Sequence, residues 1–294
     1  MDRLYEFGQL GTSKLCENCG GLFTQTKFRG IPIQSTPNDL FILQEIIHEH
    51  SPDVIIETGT ASGGSAVFYA THLGPKGLVV TIDINGVTDS CVSMAITGPC
   101  KKAQDHHKWE SNVRSLKGRS DDPLIHQQVG ELLEAWAVLY GRKPNVMMSL
   151  DGPHLCEPVY SELIALGGYV TENQYIVVQD TKMDHQYLHI MDQEYDQEYF
   201  VSFFPFYILN GTMCVCVCVV LFVRVVLAAL IILLSFPFFF SSFLLYSFHK
   251  GGNGPLCAVK KFFESASLLS KSFVVDRRRE LFGSQHQQGW LLKM

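Results

Sequence analysis

The chain has no excess of basic charge: 23 Lys and Arg stand against 29 Asp and Glu, net charge −6, with a pI near 6.0. Without a basic footprint, nucleic acid is excluded as the main partner. An apolar leader is also missing, because Met1-Asp2-Arg3-Leu4-Tyr5-Glu6-Phe7 is charged where a secretory signal needs about 7–15 apolar residues. The nine cysteines are odd in number and scattered, so no compact disulfide framework is indicated, and the expectation is reduced thiols in a cytoplasmic protein. Cys16 and Cys19 form a lone Cys-x-x-Cys with no second pair at zinc-site spacing, which reads as two free thiols in a loop. From Val201 to Phe248 charge itself is nearly absent, Arg224 being the exception. The run Met213 to Leu234 within it is long enough to cross a bilayer, which takes about 20 residues.

What is present is organised around Val54-Ile55-Ile56-Glu57-Thr58-Gly59-Thr60-Ala61-Ser62-Gly63-Gly64-Ser65. A β-branched run, an acid, three glycines and the apolar segment Ala66 to Ala70 read as a buried strand, a tight turn and the start of a helix. Such a turn exposes backbone to a ligand, and the helix start offers unpaired N–H groups to a carboxylate or phosphate. The spacing Gly-x-x-x-Gly-Gly is not the dinucleotide Gly-x-Gly-x-x-Gly. A glycine turn serving only strand–helix packing is the plainer alternative.

Before this turn, Thr36 is placed to cap a helix begun by Pro37, with Asp39 favourable to its dipole and Leu40, Leu43, Ile46 and Ile47 on one face. After it, Gly77 to Asp83 is a second buried strand ending in an acid. Asp83 lies 24 positions beyond Gly59, near the offset of about 20 at which an acid reaches ribose hydroxyls in βαβ cofactor folds. Asn112 to Leu116 is a third, weaker strand. Asp122 and Pro123 then start a helix whose buried face is Ile125, Val129, Leu132, Leu133, Trp136 and Leu139. Val146 to Leu150 and Tyr175 to Val178 are further strands, ending in Asp151-Gly152-Pro153-His154 and Gln179-Asp180-Thr181. In a parallel sheet these carboxyl ends share one rim, so Asp151 and Asp180 meet Glu57 and Asp83 at one crevice. Two carboxylates and an amide oxygen there are hard ligands suited to Mg²⁺, although solvated turn residues look the same in sequence. A helix from Pro255 and two closing strands, from Phe273 and around Gly289 to Leu292, follow, with Arg277 to Arg279 read as a solvated turn.

Taken in order, Gly30-Ile-Pro-Ile-Gln34 with Pro37-x-Asp39-Leu40, Ile56-Glu-Thr-Gly-Thr60 with Gly63-Gly-Ser65, Ile82-Asp83, Gly118-x-Ser120-x-Asp122-Pro123, Asp151-x-x-His154, Val178-Gln-Asp-Thr181, Gly254-Pro255 and Gly289-Trp290-Leu291 resemble the cephalosporin hydroxylase and rhamnosyl O-methyltransferase family. The resemblance covers roughly residues 25–182 and 251–292. It implies an α/β, Rossmann-like methyltransferase fold: a mostly parallel seven-stranded sheet, helices on both faces, a closing antiparallel hairpin. It also implies S-adenosylmethionine across the turn, touching Glu57, Gly59, Thr60, Gly63, Gly64 and Ser65, its ribose on Asp83 and its adenine by Ser120. Metal ligands fall on Asp151, Gln179 and Asp180, with Gln179 replacing the acid of the family's Glu-Asp pair and removing one negative charge. The activity implied is Mg²⁺-assisted O-methylation of a small molecule or glycoside, with Asp151 and His154 as catalytic groups. His154 would take a proton or serve as an orienting partner. Disabled by Gln179, the chain would instead be a cofactor-binding relative.

On this reading the domains are an extension over 1–30, a methyltransferase-like domain over 31–200 and 251–294, and an apolar insert over 201–250. The insert is either a membrane anchor through 213–234 or an intron read through. Val215-Cys-Val-Cys-Val219 is what a GT repeat spells, and Phe236 to Leu245 can be written almost wholly in pyrimidines. A membrane enters as partner only if this block is truly translated.

Overall fold

The computed structural model describes residues 25–89, 98–182, 184, 253–280 and 284–294. All belong to one compact unit drawn from 1–184 and 253–294, while 185–252 make up a second. The apolar insert with its 213–234 run, and the Cys16–Cys19 pair, lie outside the described residues. Among the described residues no helix is long and apolar enough to cross a membrane.

A short antiparallel ladder, β1 (Lys27–Phe28) and β2 (Ile31–Pro32), precedes α1 (Pro37–His50). Thr36 caps α1 by accepting from Asp39 N, and Ser51 ends it in a left-handed conformation. Then follow β3 (Val54–Thr58), α2 (Gly64–His72), β4 (Leu78–Asp83), α3 (His107–Asn112), β5 (Val113–Lys117), α4 (Pro123–Tyr140), β6 (Val146–Leu150), α5 (Cys156–Leu166) and β7 (Tyr175–Val178). The chain closes with α6 (Pro255–Glu264), α7 (Leu268–Lys271), β8 (Phe273–Val275) and β9 (Trp290–Lys293).

The other seven strands form one sheet in the order β5-β4-β3-β6-β7-β9-β8. The first five are parallel, and β9 runs antiparallel to both β7 and β8. This is the expected sheet with its closing antiparallel pair. The strand order reverses between β3 and β6, the switch point where a crevice opens at the carboxyl ends.

Because side chains alternate along a strand, each face has its own core. Val54, Ile56, Met148 and Val178 pack under α4, α5 and α6. Ile55, Val79, Met147 and Val177 pack under α1 and α2. Both faces of β3, β6 and β7 are covered, which is why these strands read as unbroken apolar runs.

Several expectations change. Leu139 is 72% exposed: the stripe on α4 runs on from Trp136 to Tyr140, which packs against the same core, and Leu139 faces away from it. Arg279 is not solvated; its guanidinium pairs with Glu49 and bonds the Tyr175 hydroxyl. The thiols are not all reduced. Cys156 and Cys257 are disulfide-bonded, their Cα atoms 5.3 Å apart, tying the start of α5 to the first turn of α6, and Cys100 is a disulfide cysteine too. Disulfides persist in oxidising surroundings, so the cysteine argument for a cytoplasmic setting does not hold.

Candidate cofactor and metal site

The turn after β3 is held by the neighbouring strands. Gly59 N donates to Ile82 O at 2.8 Å, and Asp151 N to Thr58 O at 3.0 Å. Gly59 has φ 86°, and a Cβ there would sit 1.9 Å from the Asp151 carbonyl oxygen. A Cβ on Gly64 would meet Pro32 O at 2.0 Å, and one on Gly63, at φ 77°, would meet Trp109 and Ala103. The three glycines thus let neighbouring chain pack closely against the turn, and Gly59 lets the Asp151 strand end close on it.

Asp83 locks the turn from β4. Its Oδ2 accepts from Thr60 N at 3.0 Å and Ala61 N at 3.2 Å, and its Oδ1 accepts from Asn85 N at 2.7 Å. A carboxylate offers about four acceptor directions, so one remains for an incoming hydroxyl. The Thr60 hydroxyl is paired with that of Thr81 at 2.7 Å.

Below the turn, a polar row crosses the sheet. Glu57 lies opposite Thr81 on one side and Ser149 on the other. The Thr81 hydroxyl donates to Glu57 Oε2 at 2.6 Å, and the Tyr69 hydroxyl of α2 donates to Ser149 Oγ at 3.0 Å. Gln179 Nε2 donates to the same Ser149 oxygen at 2.8 Å. Burial pushes the Glu57 carboxyl up to about 7, against the opposing pull of the Ser65 and Thr81 hydroxyls.

Orphaned polar atoms gather around this crevice. Glu57 Oε1, Thr58 Oγ1, Ser62 Oγ and Glu162 Oε2 are buried with no hydrogen-bond partner among the described residues. Buried polar groups normally have partners. A set of unpartnered oxygens on adjoining segments is what a polar ligand would satisfy. Ser62 lines a cavity of about 150 Å³ with Pro32, Thr88, Asp89 and Lys102. A larger cavity of about 390 Å³ lies at the opposite end of the sheet, between Asp53 and Gly77, away from the acids of the rim.

The acids after β6 and β7 converge as expected. Asp151, His154 and Asp180 place ligand atoms all within 4.8 Å of one another, and His154 Nε2 is 3.8 Å from Asp180 Oδ2. Gln179 follows Val177 on the α1/α2 face of the sheet, the face that Glu57 and Ser149 share, and its amide nitrogen donates to Ser149 Oγ. Burial first, then the charges of Asp180, Glu57 and Glu162, raise the Asp151 carboxyl well above the usual range. A divalent cation would relieve that crowding. Asp180 has φ 56°, a left-handed conformation costly for most residues and tolerated by Asp, and its N–H donates to His286 Nδ1 at 3.0 Å. His286 is 2% exposed.

His286 and Glu162 escaped the reading of the sequence. Neither stands at a strand end, and only folding brings α5 and the loop before β9 to the rim. Glu162 holds Ser120, whose hydroxyl donates to Glu162 Oε1 at 2.5 Å while its carbonyl oxygen lies 2.6 Å from His126 Nε2.

The strand order, the turn and the acidic rim define a Rossmann-like O-methyltransferase fold. Residues 21–199 match the family described as Rhamnosyl O-methyltransferase/CmcI, and the chain belongs to that family. It is similar to rhamnosyl O-methyltransferase of Mycobacterium tuberculosis, 26% identical over 166 residues, 55% of this chain and 60% of the relative. The Mycobacterium leprae protein of the same description is 25% identical over 55% of this chain and 63% of its own length. The chain thus spans about 60% of the curated relatives it matches. Among solved structures, CmcI described with Mg and SAM aligns over 93% of this chain and 78% of its own, with TM-score 0.47 and 15% identity. A putative caffeoyl-CoA O-methyltransferase from Staphylococcus aureus aligns over 56% of this chain and 66% of its own, with TM-score 0.41 and 15% identity.

Proposed function

We propose that the protein is an S-adenosylmethionine-dependent O-methyltransferase that uses a divalent cation, Mg²⁺ or a similar ion, to methylate a hydroxyl of a small molecule or glycoside. The observation that carries this reading is the coincidence, on one sheet rim, of the turn with its orphaned oxygens and the Asp151–His154–Asp180 cluster. The relatives described as rhamnosyl O-methyltransferases support the acceptor class, a sugar hydroxyl.

The residues present fit both groups. Glu57, Thr58, Ser62 and Glu162 have oxygens in want of donors, and the proposed cofactor carries an ammonium group, two ribose hydroxyls and an amino group. Bound there, it supplies a methyl group on a sulfonium. Asp151, His154 and Asp180 are a hard N/O donor set appropriate to a divalent cation, which when bound makes a coordinated hydroxyl more acidic. Asp83 fixes the turn and keeps one acceptor direction for ribose. Asp151 and Asp180 orient the acceptor oxygen beside the turn, where proximity contributes most of the rate. His154, with its side chain 37% exposed, stands where it can hold the hydroxyl proton.

Gln179 favours a second reading, a cofactor-binding relative without metal chemistry, since it stands where the family's pair has an acid and brings one negative charge fewer to the rim. The presence of His154 in the cluster weighs against it. Titration of the protein with S-adenosylmethionine tests the cofactor half. Asp83→Ala should weaken binding about tenfold or more, and an unchanged affinity in a folded variant contradicts the assignment.

A further inference from the structure

The loop before β9 clasps the turn that carries Asp180. Val178 N donates to Gly289 O at 2.8 Å, the Thr181 hydroxyl to Gln287 O at 2.5 Å and Lys182 N to Gln285 O at 3.0 Å. A Cβ on Gly289 would stand 2.1 Å from Val178 O, so the loop lies directly against the strand end. These three bonds end on backbone carbonyls, which every residue carries. The bond from Asp180 N to His286 Nδ1, at 3.0 Å, ends instead on a side chain. A backbone amide can only donate, so Nδ1 is the acceptor and the ring proton sits on Nε2.

Asp180 is also the one member of the Asp151–His154–Asp180 cluster with a left-handed backbone, φ 56°, and that conformation sets the direction in which its carboxylate leaves the chain. The clasp is itself held from α1. The Asp39 carboxylate, fully buried, accepts from the Ser284 hydroxyl at 2.7 Å and from Gln285 N at 3.2 Å. Ser284 Oγ in turn accepts from His286 N at 2.9 Å and from Trp290 Nε1 at 3.2 Å. Asp39 and Trp290, 251 positions apart in sequence, thus serve one loop. The buried His286 ring packs 5.3 Å from the Trp290 ring, and its Nε2 lies 3.9 Å from Asp39 Oδ1, too far for a hydrogen bond. The hydrogen bond that the ring makes is the one to Asp180.

We infer that His286 is a positioning residue for the divalent-cation site: its Nδ1 holds the Asp180 amide in the left-handed turn and so aims the Asp180 carboxylate at Asp151 and His154. This rests on the cation reading above. His286 itself touches no ion; it acts through Asp180, as groups that orient a ligating residue do, and the loss of such a group costs about 10–100-fold in metal affinity.

The test uses two readouts on the full chain: calorimetric titration with Mg²⁺ in the presence of S-adenosylmethionine, and exchange of the Asp180 amide hydrogen without Mg²⁺. His286→Leu keeps the bulk and removes the acceptor. It should weaken Mg²⁺ binding about tenfold or more, speed exchange of the Asp180 amide about tenfold or more, and leave cofactor affinity within about threefold. His286→Asn places an oxygen where Nδ1 stands and should stay within about threefold of the wild type in all three. If His286→Leu does not fold, His286→Gln takes its place, since its amide reaches the position of Nε2 and not that of Nδ1. Unchanged Mg²⁺ affinity in the leucine variant, its loss in the asparagine variant, or a fall in cofactor affinity as large as that for Mg²⁺ overturns the inference and leaves the cation reading standing. A wild type that binds no Mg²⁺ overturns the cation reading and this inference with it.

Discussion

Glu57 sits under the turn with one oxygen bonded to Thr81 and the Ser65 hydroxyl nearby. Burial, which disfavours the charged form, pushes its carboxyl up to about 7 from an ordinary 4.5. A raised carboxyl pKa means that the folded protein holds a proton which the unfolded chain releases above its own pKa. The stabilising contribution is complete below about pH 4.5 and is lost as pH rises to about 7. Glu57→Gln cannot ionise, so the wild type should lose about 3 kcal/mol relative to this variant between those limits. Denaturant titrations of both proteins at pH 4.5, 6 and 8 would show it, and parallel stability profiles would contradict it. Cofactor bound as proposed would offer Glu57 a cationic donor and should shift the wild-type profile toward stability at neutral pH.

At the scale of elements, the strands were legible because burial on both faces writes itself as β-branched runs. β6 and β7 fall where the letters place them, and the Thr36 and Asp122 caps hold as read. Asp151 and Asp180 were legible as acids just past parallel strands. The contact of the Gln179 amide was not legible: its nitrogen donates to Ser149 across the sheet, which depends on β6 lying beside β7. Nor could the Cys156–Cys257 pairing be seen, since it depends on α5 and α6 packing together across 101 residues of chain. That disulfide should stabilise the unit by about 2–4 kcal/mol. Alkylation under denaturing conditions without reductant should leave both cysteines unmodified, and Cys156→Ala with Cys257→Ala should lower the denaturation midpoint. Ready alkylation of both thiols would contradict the pairing.

For the whole molecule, the described fold closes on itself across the segment that separates α6 from the rest. The Asp184 carboxylate, buried at 4% exposure, accepts from Gly254 N and Leu256 N at 2.7 Å and from Cys257 N at 3.2 Å. The chain therefore leaves and returns at one place, and Asp184, which precedes 185–252, anchors the start of α6, which follows it. Replacing 185–252 with a short Gly-Ser linker should preserve a cooperative fold within about 1 kcal/mol, because loop-closure entropy changes slowly with length. Circular dichroism melts would test it, and loss of cooperative unfolding would show that the second unit is needed.

The account as a whole stands on a cofactor turn and a cation site that are neighbours but separate sets of residues. Calorimetric titration of the wild type and of Asp151→Asn with S-adenosylmethionine, each with and without Mg²⁺, tests this most directly. The wild type should bind the cofactor in both conditions and bind Mg²⁺ in its presence. The variant should bind the cofactor with affinity within about threefold of the wild type and show no Mg²⁺ heat. A wild type that binds no cofactor, or a variant whose Mg²⁺ binding is unchanged, would contradict the account.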